Sequence, residues 1–200
     1  MSIAVLALLL PLQLAVPLKQ DDWVLHQHYP GAQRGRRNSG MTKVAVSIDP
    51  AGKVIECRLA SSSGHAELDR RACAAILVRA KFEPARDEHG RAVASLWMQI
   101  VSWQIYGERQ KHGSALDRIF TVTKLPGNDD QASLSVRIRT NADGKIEHCE
   151  IDEGSGNIVL DRIACPTLVK SGPIEVARDE SANSLATVRS VKIQFVVVRP

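Results

Sequence analysis

Polar and apolar residues alternate from Lys43 to Ile48, with Val44, Val46 and Ile48 on one side, the period of a half-buried strand. Asp49-Pro50-Ala51-Gly52 then reads as a turn with Gly at a position suited to positive φ. A second strand over Lys53 to Leu59 makes the pair a hairpin. Ser61-Ser62-Ser63-Gly64 breaks the pattern, and from Ala66 to Ala80 the period becomes helical. Leu68, Ala72, Ala75, Ile76 and Ala80 lie near one stripe, with Arg70, Arg71 and Arg79 outside it. Ala94 to Trp103 predicts a last strand, with Leu96, Met98, Ile100 and Ser102 on one face and Trp97, Val101 and Trp103 on the other. The order β-β-α-β predicts an α+β unit, one helix packed on an antiparallel sheet.

The same pattern is written a second time. GKVIECRLASSSGHAELDRRAC at 52–73 aligns without a gap on GKIEHCEIDEGSGNIVLDRIAC at 144–165, with 10 identities in 22 positions. EPARDE at 83–88 lies on EVARDE at 175–180 in the same register, 92 residues on, and VAVSIDPAG lies on VRIRTNADG. This predicts two homologous domains, at 41–105 and 134–198. The second is the looser one: Pro166 stands where the first has Ala74, which predicts a shortened or kinked helix over Ile158 to Val169. Its last strand runs from Val188 to Val198, and Ile119 to Thr123 reads as a stray strand belonging to it. Residues 19–40 and 106–133 read as linkers, including Gly107 to Ser114 and a polar turn from Leu125 to Gln131.

Residues 1–18 carry no charge and are interrupted by Pro11 and Pro17. This apolar lead fits an export signal, or alternatively a weak membrane anchor, although no basic residue precedes Lys19. The four cysteines agree with an oxidising compartment. The repeat favours Cys57–Cys73 and Cys149–Cys165 bridges, each spanning sixteen positions, over a four-thiolate zinc site, which lacks CxxC spacing.

Composition excludes rather than selects. With 44% hydrophobic and 24% charged residues the 200-residue chain is a folding one, and 4% aromatics means small aliphatic cores. The net charge of +4 calls for no nucleic-acid partner, and the one dense basic cluster, Arg34, Arg36 and Arg37, reads as solvated linker.

No catalytic centre is written here: the chain has no GxSxG, HExxH or calcium-loop pattern and no glycine-rich phosphate loop opening a helix. His26 and His28 are a weak metal pair, so no metal or cofactor is expected. Asp69 and Asp161 occupy matching first-turn helix positions and read as structural. Glu83, Arg86 and Asp87, with Glu175, Arg178 and Asp179, read as loop-fixing pairs. The expected functional surface is the last strand of each copy, whose free edge can accept an extended peptide as an added strand. The candidate partner-binding residues are Trp97, Val101 and Trp103 in the first copy and Ile193 and Phe195 in the second.

These residues resemble the C-terminal domain of TonB-like energy transducers. Tyr29-Pro30 ahead of Gly40, the turn through Gly52-Lys53-Val54, Ser62-Ser63-Gly64 before Leu68-Asp69, and Arg79-Ala80-Lys81-Phe82-Glu83-Pro84 at the helix exit carry the likeness, over about 29–103 and more faintly 134–198. The resemblance implies a periplasmic, non-catalytic domain that binds a short extended segment of an outer-membrane receptor or other envelope protein by strand pairing. An anchored energy transducer facing the periplasm from the inner membrane is the first alternative, with membrane contact only if residues 1–18 are retained. A structural envelope protein that self-associates, a homo-oligomer, is the second. The paired cysteines, the short lead and the two copies depart from the family pattern.

Overall fold

The computed structural model describes residues 10–24, 28–103, 117–125 and 129–197. In chain order the elements are β1 (Val16–Leu18), α1 (Gly31–Gly35), β2 (Gly40–Ile48), β3 (Val54–Ser61), α2 (Ala66–Arg79) and three short strands, β4 (Lys81–Glu83), β5 (Ala85–Arg86) and β6 (Ala92–Val93). There follow β7 (Ser95–Trp103), β8 (Arg118–Val122), β9 (Gln131–Thr140), β10 (Ile146–Glu153), α3 (Ile158–Lys170) and β11 (Thr187–Val197). The architecture is α+β.

The alternating segments form the strands expected of them. Glycine closes both hairpin turns in the left-handed region, Gly52 at φ 80° and Gly144 at φ 78°. A side chain at either position would strike the chain that follows the helix, since Phe82 donates to the Gly52 carbonyl at 3.1 Å and Ile174 to the Gly144 carbonyl at 2.9 Å. Pro166 lies within α3 and costs little length: α3 has 13 residues and α2 has 14. Both cystines tie a helix to the hairpin strand beneath it, Cys57–Cys73 with Cα atoms 5.6 Å apart and Cys149–Cys165 with 5.8 Å.

The two halves share one seven-stranded sheet, ordered β10-β9-β11-β7-β2-β3, with β8 pairing β11 off this path. Within each half the strands of the β-β-α-β unit pair antiparallel, and β8 pairs β11 in parallel. Between them β7 and β11 run parallel and meet at one register pair, Ser95 with Val188. From β3 to β7 the chain crosses the sheet in one lateral direction and from β10 to β11 in the other. Right-handed crossovers in opposite directions put α2 and α3 on opposite faces. The cores agree: Val188 packs with Val44, Val46 and Leu68 under α2, whereas its strand neighbours Val191, Ile193 and Phe195 pack with Leu160 and Leu168 under α3.

Two segments expected as lead or linker are packed. Residues 10–18 cross from one half to the other: the Leu12 amide donates to Glu150 Oε1 at 3.0 Å, Arg137 Nη1 donates to the Leu12 carbonyl at 3.0 Å, and β1 pairs β4. The Leu12 side chain is fully buried in the core under α2. Within 19–40, Trp23 sits 4.9 Å from the Phe82 ring and Tyr29 5.7 Å from Trp103, and both are buried. Residues 1–9, His26, Gly107 to Ser114 and Val198 lie outside the described residues. No helix among the described residues is long and apolar enough to cross a membrane.

Candidate binding edge

β7 is held to β2 by an unbroken register from Gly40–Trp103 to Ile48–Ser95. In an unbulged strand successive residues turn their backbone polar groups to opposite edges. The Ala94 carbonyl accepts the Val188 amide at 3.0 Å, so Ala94 faces away from β2, and Leu96, Met98, Ile100 and Ser102 follow it. Beyond the Ser95–Val188 pair the two strands part. Among the described residues no strand pairs with the outer edge of β7 from Trp97 to Trp103. A cleft of about 450 Å³ fills the opening, lined by Leu96, Met98 and Ile100 of β7, Val188 and Ser190 of β11, and Leu14 of the N-terminal segment. The Ser102 hydroxyl is buried with no hydrogen-bond partner among the described residues.

The side chains singled out from sequence are arranged differently from their expected role. Val101 and Trp103 are buried on the α2 side, and Trp103 Nε1 donates to Thr42 Oγ1 at 2.9 Å. Ile193 and Phe195 are buried under α3. Their side chains belong to the cores, so these four offer a partner no side-chain contact. Both faces of β7 are apolar, and sequence alone did not reveal which one α2 covers. Trp97 is half-buried, packs 5.6 Å from Phe82 and donates to Gln99 Oε1 at 3.1 Å, beside the cleft it helps to line. The side chains that sequence reasoning left out of the site, Met98 and Ile100, are the ones that border the edge.

The corresponding edge of β11 is occupied. β8 runs parallel to it in register, Arg118 to Val122 against Ile193 to Val197, and the Phe120 ring lies 5.8 Å from Phe195. At the start of β8, Asp117 Oδ1 accepts Arg189 Nη2 at 2.9 Å and Oδ2 accepts the Lys192 amide at 3.0 Å. Arg189 is 4% exposed, and burial pulls its pKa below the ordinary value, against the opposing pull of Asp117.

The matched acids are structural anchors. Asp69 collects Thr42 Oγ1, Ser63 Oγ and the Ser63 amide on Oδ1, at 2.8, 2.8 and 2.9 Å, and Ser62 Oγ on Oδ2. Burial raises its pKa, but the hydrogen bonds outweigh burial and hold the carboxyl below the usual range. Among the described residues the Asp161 carboxylate keeps only the Ser155 amide and hydroxyl, both at 2.7 Å. In the loops, Asp87 accepts Arg91 at 2.8 Å and Asp179 accepts Asn183, so these acids fix turns. Glu175 instead reaches across to Arg58 at 2.7 Å, and Arg86 donates to the Gly90 carbonyl at 3.0 Å.

Residues 25–105 match the family model of the Gram-negative bacterial TonB protein C-terminal, so the first half carries a TonB C-terminal-like domain. No curated protein matches the chain.

Proposed function

We propose that the TonB C-terminal-like half makes this chain a non-catalytic periplasmic binding module, which takes up an extended segment of an outer-membrane receptor or other envelope protein as an added strand on β7. The observation that carries the reading is the outer edge of β7, unpaired among the described residues, beside the cleft. Backbone groups at Met98 and Ser102 and the Ile100 amide supply affinity for any extended chain, the Ile100 carbonyl already accepting Gln99 Nε2 at 2.9 Å, and the pockets between Leu96, Met98 and Ile100 supply side-chain preference. The second half is read as a diverged copy of the first, on the 92-residue register of identities and the recurrence of β-β-α-β.

The test uses proline at an outward position. Ile100 presents its N–H to the open edge and not to β2, so Ile100→Pro removes a donor from the edge while sparing the internal ladder. Gln99 faces the other way, and Gln99→Pro breaks the ladder to β2 instead. Envelope proteins retained on the immobilised chain are compared with those retained on Ile100→Pro, whose fold is checked by its melting temperature. The reading requires loss of the retained protein, at least tenfold, in a variant that still melts cooperatively. Undiminished retention by folded Ile100→Pro contradicts it.

A further inference from the structure

We propose that β8 is a built-in strand ligand that occupies the second half's β11 edge, so that at the join between the halves, among the described residues, the β7 edge stands open while the matching β11 edge is held closed. The inference rests on the strand-addition reading and says which half is available and what chemistry the closed edge selects.

Three observations carry it. First, β8 is held as a guest strand is held. It pairs with β11 alone, over five residues in parallel, and with no other strand among the described residues. Second, its two faces differ. Phe120 and Val122 pack partly buried on the core under α3, while Ile119, 59% exposed, points away. Third, it is anchored by a charge at its leading end. Asp117 meets the Arg189 guanidinium at 2.9 Å and the Lys192 amide at 3.0 Å. The first half has Trp97 at the position matching Arg189, so the acid anchor is a property of the β11 edge.

The contacts of β8 therefore define the class of segment that can replace it. The segment is extended and parallel to β11, with a carboxylate at its first position and apolar side chains at the fourth and sixth, where Asp117, Phe120 and Val122 stand. A partner strand of that chemistry takes the β11 edge only when β8 has left it.

The probe is a synthetic peptide with the sequence of residues 117–123, added in trans to isotope-labelled full chain and followed by amide shifts. In the wild-type chain the β11 amides from Ile193 to Val197 remain unmoved, because β8 is tethered and present at high effective concentration. In Phe120→Ala/Val122→Ala, which keeps Asp117 and the backbone but loses both inward side chains, the peptide shifts those amides and binds them at least tenfold more tightly than in the wild type. Wild-type hydrogen exchange is the second measurement: a displaceable strand exchanges the Phe120 and Val122 amides at least 100-fold faster than those of β9. Unmoved β11 amides in a folded double variant, or β8 protection equal to that of β9, overturn the inference. If β7 amides shift in that same experiment, strand addition survives while the role of β8 falls. If Ile100→Pro leaves envelope-protein retention unchanged, the failure is that of the underlying reading.

Discussion

At residue scale the two halves hold the matching acid differently. Asp69 is fixed by Thr42, Ser62 and Ser63, and Thr42 in turn accepts Trp103. At the matching places the second half has Leu134, Gly154, Ser155 and Phe195, so Asp161 keeps the serine and loses the rest. Asp69→Asn should cost about 2 kcal/mol, the scale of a hydrogen-bonded buried carboxylate, and Asp161→Asn clearly less, as read by urea denaturation. The pH dependence follows in sign. Asp69, Asp87 and Glu88 all titrate below their ordinary values when folded, because hydrogen bonds and arginines outweigh burial. Their stabilisation is present above the ordinary carboxylate pKa and disappears as pH falls through the depressed values. The melting temperature should therefore fall on acidification below about pH 4, more shallowly in Asp69→Asn. An unchanged acid slope in that variant would remove Asp69 from the account.

The elements show which features sequence makes legible. Alternation, Gly52 and Gly144 in the turns, and the 3.6-residue stripe gave β2, β3, α2 and β7 to within about three residues, because each is a local signal. The cystine pairing followed from the repeat, since Cys57 and Cys73 stand on neighbouring elements of one unit. Reduction of either bridge should destabilise by about 3 kcal/mol in the chain-entropy account, measured with Cys57→Ser/Cys73→Ser. The N-terminal segment was not legible. An uncharged run such as 10–18 reads the same whether it faces lipid or a protein core, and its partners, Glu88, Arg137 and Glu150, lie far along the chain. Leu12→Ala should cost about 3 kcal/mol if the segment stays packed, and nothing measurable if the working protein lacks it. Urea denaturation of protein purified from the envelope distinguishes the two. The orientation of β7 was hidden for a related reason: with Leu96, Met98 and Ile100 opposite Trp97, Val101 and Trp103, neither face declares itself polar.

In the whole molecule, one register pair joins the two halves within the shared sheet, and side chains brace the join from both sides. Arg139 of β9 reaches Glu88 in the first half's loop at 2.9 Å, and Ser47 of β2 accepts the Arg178 amide from the second half's loop at 3.0 Å. Arg58 adds Glu175 at 2.7 Å, and the segment around Leu12 spans both halves. Sequence periodicity cannot show such a join, because each contact pairs residues roughly fifty or more positions apart without a repeating signal. So braced, the halves should unfold in one calorimetric transition, and Arg139→Ala, which leaves buried Glu88 without its guanidinium, should lower or split that transition. The join also makes the cleft, since β7 and β11 meet at Ser95–Val188 and then part, leaving the β7 edge without a strand partner among the described residues.

That edge is the central claim, and site-specific photocrosslinking in living cells tests it most directly. Probes stand at Met98 and Ile100, with a control at Val78, 82% exposed on α2. Strand addition predicts that Met98 and Ile100 capture one envelope protein through a short extended segment, while Val78 captures none of it. Equal capture at all three positions, or capture only of further copies of the chain at the edge, would contradict it.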